Sequence, residues 1–212
     1  MVKSYCKINL FLRILKKNKR GLHNIQSTVM LLDLHDKISI QRIKKKKDKI
    51  IFTGQFKKNV KASSNTIINT LSLLRSKKFI NSNKRYKIVV NKEIPVFAGL
   101  GGGTGNAATI IKYFLKKKVT LKLLDIFENK IGSDLKLFFF NHTFQKNLKI
   151  IKKFRKKYNF YFLLIYPNFK SSTKVVYSKV KKFNSPLRID PSKILSKDKY
   201  SRFLLNETND LQ

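Results

Sequence analysis

Five of the eight glycines in this chain fall within seven consecutive positions, Gly99-Leu100-Gly101-Gly102-Gly103-Thr104-Gly105. In a sequence so poor in glycine, that cluster constrains the fold more than any other feature. Glycine admits positive φ and lets another segment or a ligand approach the backbone closely. The residues that follow, Asn106 to Leu115, place Ala107, Ile110, Ile111 and Phe114 on one helical face, so the loop leads straight into a helix. Such a loop aims free N–H groups and the positive helix end at one point, which is how backbone binds phosphate.

Several phosphate loops can be compared with it. The Walker pattern requires Lys and then Ser or Thr after its last glycine, and Asn106-Ala107 stand there. The dinucleotide fingerprint G-x-G-x-x-G, begun at Gly99 and Gly101, meets Thr104 at its third glycine. GGGTG is also similar to the phosphate loop of tubulin-like GTPases. That family needs an earlier glycine box, and no glycine precedes Gly21.

The surrounding pattern is strands first, then alternating helix and strand. Ser4–Ile14 carries apolar residues on both parities and reads as a mostly buried strand, in which Lys7 and Asn9 need partners. Lys16–Gly21 is a basic turn. His23–Leu34 and Lys37–Arg42 read as strands, Lys44–Lys49 as a charged turn, Lys49–Gly54 as a short strand. Thr66–Leu74 has helical spacing after Ser63, Ser64 and Asn65, which are capping residues. Tyr86–Asn91 is a strand, Pro95–Gly105 a loop, and Asn106–Leu115 and Leu121–Ile131 are helices. Gly132-Ser133-Asp134 breaks the second. Lys146–Lys157 reads as a solvated helix or connector, Phe160–Tyr166 as a buried strand and Ser172–Val180 as a short helix; after Ser185 the signal weakens.

Composition excludes some classes. At 212 residues the chain is one large domain or two small ones, and 42% hydrophobic residues suffice for a core. A single cysteine, Cys6, excludes a disulfide framework and a cysteine-based zinc site. Lys plus Arg total 48 against 11 Asp plus Glu, yet only eight of the 48 are Arg. Phosphate and base recognition favours the bidentate Arg fork. Abundant Lys, Asn, Ile and Phe with scarce Gly, Pro and Ala is what an AT-rich genome encodes, so coding bias explains the charge better than a nucleic-acid partner, and any such attraction is expected to be non-specific. The longest apolar stretch, Phe160–Tyr166, is far short of the roughly 20 residues of a membrane span. Lys3 and Lys7 interrupt any signal-peptide core, so the cytoplasm is the expected location.

Ile94-Pro95 followed by Gly99-Leu100-Gly101-Gly102-Gly103-Thr104 resembles the ATP loop of the GHMP kinases, the family of galactokinase, homoserine kinase, mevalonate kinase and phosphomevalonate kinase. Lys7-Ile8-Asn9-Leu10-Phe11-Leu12, Gly21-Leu22-His23 and Gly132-Ser133-Asp134 narrow the resemblance to the branch that acts on 4-diphosphocytidyl-2-C-methyl-D-erythritol in non-mevalonate isoprenoid biosynthesis. It runs in order from Tyr5 to Gln212.

The resemblance implies an α+β, two-domain GHMP-kinase fold. Residues 1–145 would form the ATP-binding domain, like domain 2 of ribosomal protein S5, with a left-handed βαβ crossover. Residues 146–212 would begin an α/β C-terminal domain that is incomplete here, since the family's further glycine motif of the GTGA type lies beyond the matching Asn209-Asp210 step. The implied reaction moves the γ-phosphate of ATP, with Mg²⁺, onto the 2-hydroxyl of the cytidine diphosphate sugar alcohol. Lys7 and Asp134 match the catalytic pair. Asn65, Lys92, Pro95, Val96, Phe97, Ala98, Gly99, Leu100, Gly101, Gly102, Gly103, Thr104 and Gly105 match the ATP site, with Thr104 also near the magnesium. Asn9, His23, Thr173 and Tyr177 match the substrate site. A small-molecule partner, no membrane and a homodimer are compatible with it.

Several positions depart from the family pattern. Leu22 replaces a Tyr that stacks on cytosine, Gly105 the second Ser of GGGSS, and Lys136 and Lys174 each a Pro. Two other readings stay open at this level: a remnant that binds nucleotide without turnover, and a basic nucleic-acid-binding protein on the same fold.

Overall fold

A computed structural model describes residues 1–17, 23–60, 65–167 and 173–211, without the side chains of Lys117, Thr173 and Lys174. The chain divides into two compact units, one of Met1–Lys7 with Leu32–Phe139, the other of Ile8–Leu31 with Phe140–Gln212. Two long strands, β1 (Val2–Lys17) and β2 (His23–Ile43), contribute to both. The two strands expected over 23–34 and 37–42 are thus one, because nothing between them breaks the extended run. Most of the Lys16–Gly21 turn lies outside the described residues, as do Ser63 and Ser64.

In the first unit β2 pairs antiparallel with β4 (Arg85–Asn91), setting Ile38 opposite Val90 and Ile40 opposite Ile88. Strand β4 pairs in parallel with β3 (Lys49–Thr53), so α1 (Thr66–Ser76) is the crossover between them. Asn65 starts α1 by accepting from the backbone of Ile67 and Ile68 at 3.0 and 3.1 Å. Ile67, Thr70, Leu71 and Leu74 form its buried stripe. Arg75, near its end, grips both carboxylate oxygens of Asp48 at 2.7 and 2.8 Å.

Helix α2 runs over Gly102–Leu115 and α3 over Leu121–Ile131. The loop expected to last until Gly105 therefore ends earlier: Gly102 to Gly105 are the first turn of α2. Apolar periodicity begins only at Ala107, so it could not mark this start. Gly101, at φ 68°, caps the helix in the left-handed region. Gly105 serves close approach instead. A Cβ there would lie 2.8 Å from the carbonyl oxygen of Tyr5 on β1 and 3.1 Å from the Phe138 ring. The glycine that departs from the family pattern thus lets α2 sit directly on β1.

In the second unit β2 pairs antiparallel with β5 (His142–Gln145), and β5 with β6 (Ile151–Lys153). Of the stretch Lys146–Lys157, expected as a solvated helix or connector, only Ile151–Lys153 is strand, and the lysines around it hid so short a piece. Helices α4 (Thr173–Ser178) and α5 (Lys197–Leu205) follow. Helix α5 lies where the sequence pattern weakens, yet its Tyr200 is fully buried with Phe11, Phe144, Phe154 and Tyr158. Near the end of the chain, Asp210 accepts from the Ile14 amide at 2.7 Å and Glu207 takes Arg13 through two bonds of 2.6 and 3.0 Å.

One expectation fails. Phe160–Tyr166 is not a buried strand: no strand is assigned there, and Tyr161 is 100%, Leu163 89% and Ile165 83% exposed. An apolar run records a preference for burial. It does not supply the neighbouring strand whose backbone must complete the ladder, and among the described residues none pairs with it. Among the described residues no helix is long and apolar enough to cross a membrane.

Two features of these units are open to measurement. His142 is buried, stacks on Phe154 at 3.6 Å between ring centres, and shares a 3.0 Å bond with the Tyr200 hydroxyl, which donates to Thr28. Burial pushes its imidazole down to about 4 from 6.5. Between these values the unfolded chain binds more protons than the folded one. Stability is therefore fully present above 6.5 and is lost as pH falls through the window, by about 3 kcal/mol in total. Urea unfolding from pH 7.5 to 4 should show that loss in the wild type and a shallower one in His142→Phe. Separately, Gly105→Ser should lower stability by about 1–3 kcal/mol through the clash with Tyr5. Gly103→Ala, whose added carbon would meet only Thr66 at 3.6 Å, should melt no lower than the wild type by circular dichroism.

Candidate active site

Strand β1 delivers Lys7 to the glycine loop twice. Its backbone amide donates to the Leu100 carbonyl at 3.0 Å, fixing the loop against the strand. Its side chain, 10% exposed, passes 3.4 Å from where a Cβ on Gly101 would be and brings Nζ to 3.3 Å from Oδ2 of Asp134. The two residues matched to the catalytic pair, 127 positions apart by numbering (134 less 7), are thus an ion pair beside the loop. Cys6, the neighbour on the opposite face of β1, is buried, and burial pushes its thiol up to about 11. It stays protonated and is no nucleophile.

Asp134 stands in the turn that ends α3. Gly132 closes the helix by donating to the Glu128 carbonyl at 2.9 Å, and Leu137 donates back to the Asp134 carbonyl at 3.1 Å. Lys136 is buried and pairs with Asp125 and, at 3.0 Å, with Glu128. Burial alone would lower its ammonium; the hydrogen bonds it donates to Asp125 and Glu128 outweigh that and raise it. Burial pushes the Glu128 carboxyl up, with Lys136 drawing it back. Where the family pattern has proline to stiffen this turn, an ionic clamp to α3 stands instead. The Phe138 ring packs on Gly101 and Gly105, and its carbonyl accepts from Lys112 at 2.6 Å.

The helix end is open. The first bond within α2 runs from the Gly105 amide to the Gly101 carbonyl at 2.8 Å, so the amides of Gly102, Gly103 and Thr104 precede it. The Thr104 hydroxyl lies 3.8 Å from where a Cβ on Gly132 would be, which sets it against the turn that holds Asp134. Pro95, Val96 and Ala98 are half-buried, and Phe97 and Gly99 exposed, in the turn before the helix. Asn65 is committed to capping α1 at its contact with the loop, where Thr66 donates to the Gly103 carbonyl at 2.9 Å. Lys92 is buried and ion-paired with Asp36.

In the second unit, Asn9 donates to the Ser27 hydroxyl at 2.8 Å. His23 is flanked by Tyr177, 5.3 Å away between ring centres, and by Phe183 at 6.2 Å. Thr173 opens α4, and its side chain lies outside the described residues. Sequence reasoning missed Asp36 and Phe183. Phe183 lay where the pattern weakens. Asp36 had one usable signal: with only 11 acids against 48 cations, an acid inside an apolar strand is bound to have partners. Among the described residues no cluster of three or more His, Cys, Asp or Glu could hold a metal ion.

Comparison with known proteins identifies the family. Residues 65–135 match the model of the GHMP kinases N terminal domain. The chain is 42% identical over 220 residues to the 4-diphosphocytidyl-2-C-methyl-D-erythritol kinase of Pelagibacter ubique, covering 100% of this chain and 74% of that protein. It is 36% identical over 186 residues to the enzyme of the same name from a Sulfurihydrogenibium species, covering 84% of this chain and 64% of the relative. The fold is similar to the crystal structure of a 4-(cytidine 5'-diphospho)-2C-methyl-D-erythritol kinase, with a TM-score of 0.66 at 20% identity over 99% of this chain and 75% of that one. Loop, ion pair and likeness together place the chain in the 4-diphosphocytidyl-2-C-methyl-D-erythritol kinase family of the GHMP kinases.

Proposed function

We propose that the chain transfers the γ-phosphoryl group of ATP to the 2-hydroxyl of 4-diphosphocytidyl-2-C-methyl-D-erythritol. The observation that carries this reading is the Lys7–Asp134 pair, 3.3 Å apart beside the open end of α2. Phosphoryl transfer asks chiefly for positioning and charge stabilisation. The amides of Gly102, Gly103 and Thr104 would hold the phosphate tail, with residues 95–101 lining the approach and Asn65 and Lys92 at its borders. Asp134 accepts the hydroxyl proton as the new P–O bond forms and the bond from phosphorus to the β–γ bridging oxygen breaks, releasing ADP. Lys7 holds Asp134 through their ion pair and offsets charge on the transferred group. In the second unit, His23 and Tyr177 offer aromatic surface for the cytosine, with Asn9 and Thr173 as polar contacts.

Mg²⁺ would need few protein ligands here, since it usually binds through phosphates and waters. With no acidic cage among the described residues, it would be held by the phosphates with the Thr104 hydroxyl, as magnesium commonly is. Bound there, it would neutralise charge on the β- and γ-phosphates. In this reading the first unit supplies the ATP-binding half, and the second, which takes in Ile8–Leu31 as well as the residues from Phe140 on, begins the substrate half. The substrates are soluble nucleotides, in keeping with a reaction in the cytoplasm.

The test is ADP release dependent on the alcohol substrate, with the product identified by phosphorus NMR. Lys7→Ala and Asp134→Asn should each lower kcat about a hundredfold or more while ATP still shifts the melting temperature. Undiminished turnover in both variants would overturn the reading. A nucleotide-induced shift with no ADP from the wild type would favour nucleotide binding alone.

A further inference from the structure

Asp36 is fully buried, and none of the functional assignments above uses it. The β2–β4 ladder ends at Lys37 opposite Asn91. One step further, the same antiparallel register sets Asp36 against Lys92, and their side chains form a buried ion pair. Beyond this point β4 leaves the sheet and turns toward the glycine loop. The other carboxylate oxygen, Oδ1, accepts from the backbone amides of both Glu93 and Ile94 at 2.9 Å. One side chain thus satisfies two amides that would otherwise be buried without partners as the strand ends. It does so at the residues that lead into the loop.

The consequence reaches α2 directly. A Cβ on Gly102 would lie 3.1 Å from Cγ2 of Ile94 and 3.4 Å from Nζ of Lys92. The first residue of the helix therefore rests on the two groups that Asp36 holds. The opposite side of the turn is fixed too, since Lys92 donates to the Thr53 carbonyl at 2.8 Å and accepts from Phe56 at 3.2 Å.

We infer that Asp36 is a positioning residue for the nucleotide: by clamping the Glu93 and Ile94 amides and Lys92, it sets where the open end of α2 presents its N–H groups. The inference rests on the kinase reading only for the identity of the ligand, and its test does not need turnover.

Removing Asp36 alone would leave Lys92 charged and unpaired in the interior, so both tests are built on Lys92→Met. Asp36→Asn/Lys92→Met retains an oxygen for the two amides. Asp36→Leu/Lys92→Met does not, while replacing the ion pair by apolar groups, a change that folds tolerate well. A fluorescent ATP analogue titrated into both, at a temperature where circular dichroism shows each variant folded, should bind about tenfold more weakly to the Leu variant. Where turnover is present, the KM for ATP should rise and that for the alcohol should stay put. Equal nucleotide affinities, or equal shifts in both KM values, would overturn the inference. Amide hydrogen exchange of the wild-type chain decides independently of any variant. Glu93 and Ile94 should be protected like the β4 ladder, and exchange at the rate of an exposed turn would sink the proposal. Tight, Asp36-dependent nucleotide binding without ADP release would leave this inference standing and remove the kinase reading.

Discussion

Everything at the site follows from how closely the glycine loop lies on β1. The Lys7 amide donates to Leu100, and the missing side chain at Gly105 lets α2 settle against the Tyr5 carbonyl. With those contacts made, the Lys7 side chain runs along the loop to Asp134. A strand residue thereby places its own ammonium by means of its own backbone. The Phe138 ring, packed where Gly101 and Gly105 lack side chains, closes the arrangement from the segment that carries Asp134.

Charge is used sparingly within a chain of +37. The few acids are concentrated where a lysine or arginine must be held: Asp36 with Lys92, Asp48 with Arg75, Asp125 and Glu128 with Lys136, Asp134 with Lys7, Glu207 with Arg13. Exposed pairs contribute little, whereas breaking a buried pair leaves an uncompensated charge in the interior. Most of the lysines have no such assignment among the described residues, in keeping with a composition set by coding bias more than by a polyanionic partner.

The sequence was most readable where physics leaves few alternatives. A glycine cluster opening a helix has few uses, and Lys7 and Asp134 could be matched because they sit in short motifs of fixed order. Helix α3 and strands β3 and β4 announced themselves through period and turn residues. Other features depended on partners far along the chain. The start of α2 lay among glycines, which carry no apolar period. The β5–β6 hairpin and α5 were masked by lysine, and the exposure of Tyr161–Ile165 turns on whether a neighbouring strand is present, which no local pattern states. Asp36 belongs with these, since its role is set by a register that only the paired strands define.

The division of the chain carries a consequence for how it comes to be folded. Because Ile8–Leu31 belongs with Phe140–Gln212, the segment made first in the second unit must wait until more than a hundred intervening residues have emerged before its partners exist. Neither unit is a contiguous stretch that could be excised at one cut. Closure of that long loop precedes the contacts that reward it, which slows assembly of the second unit.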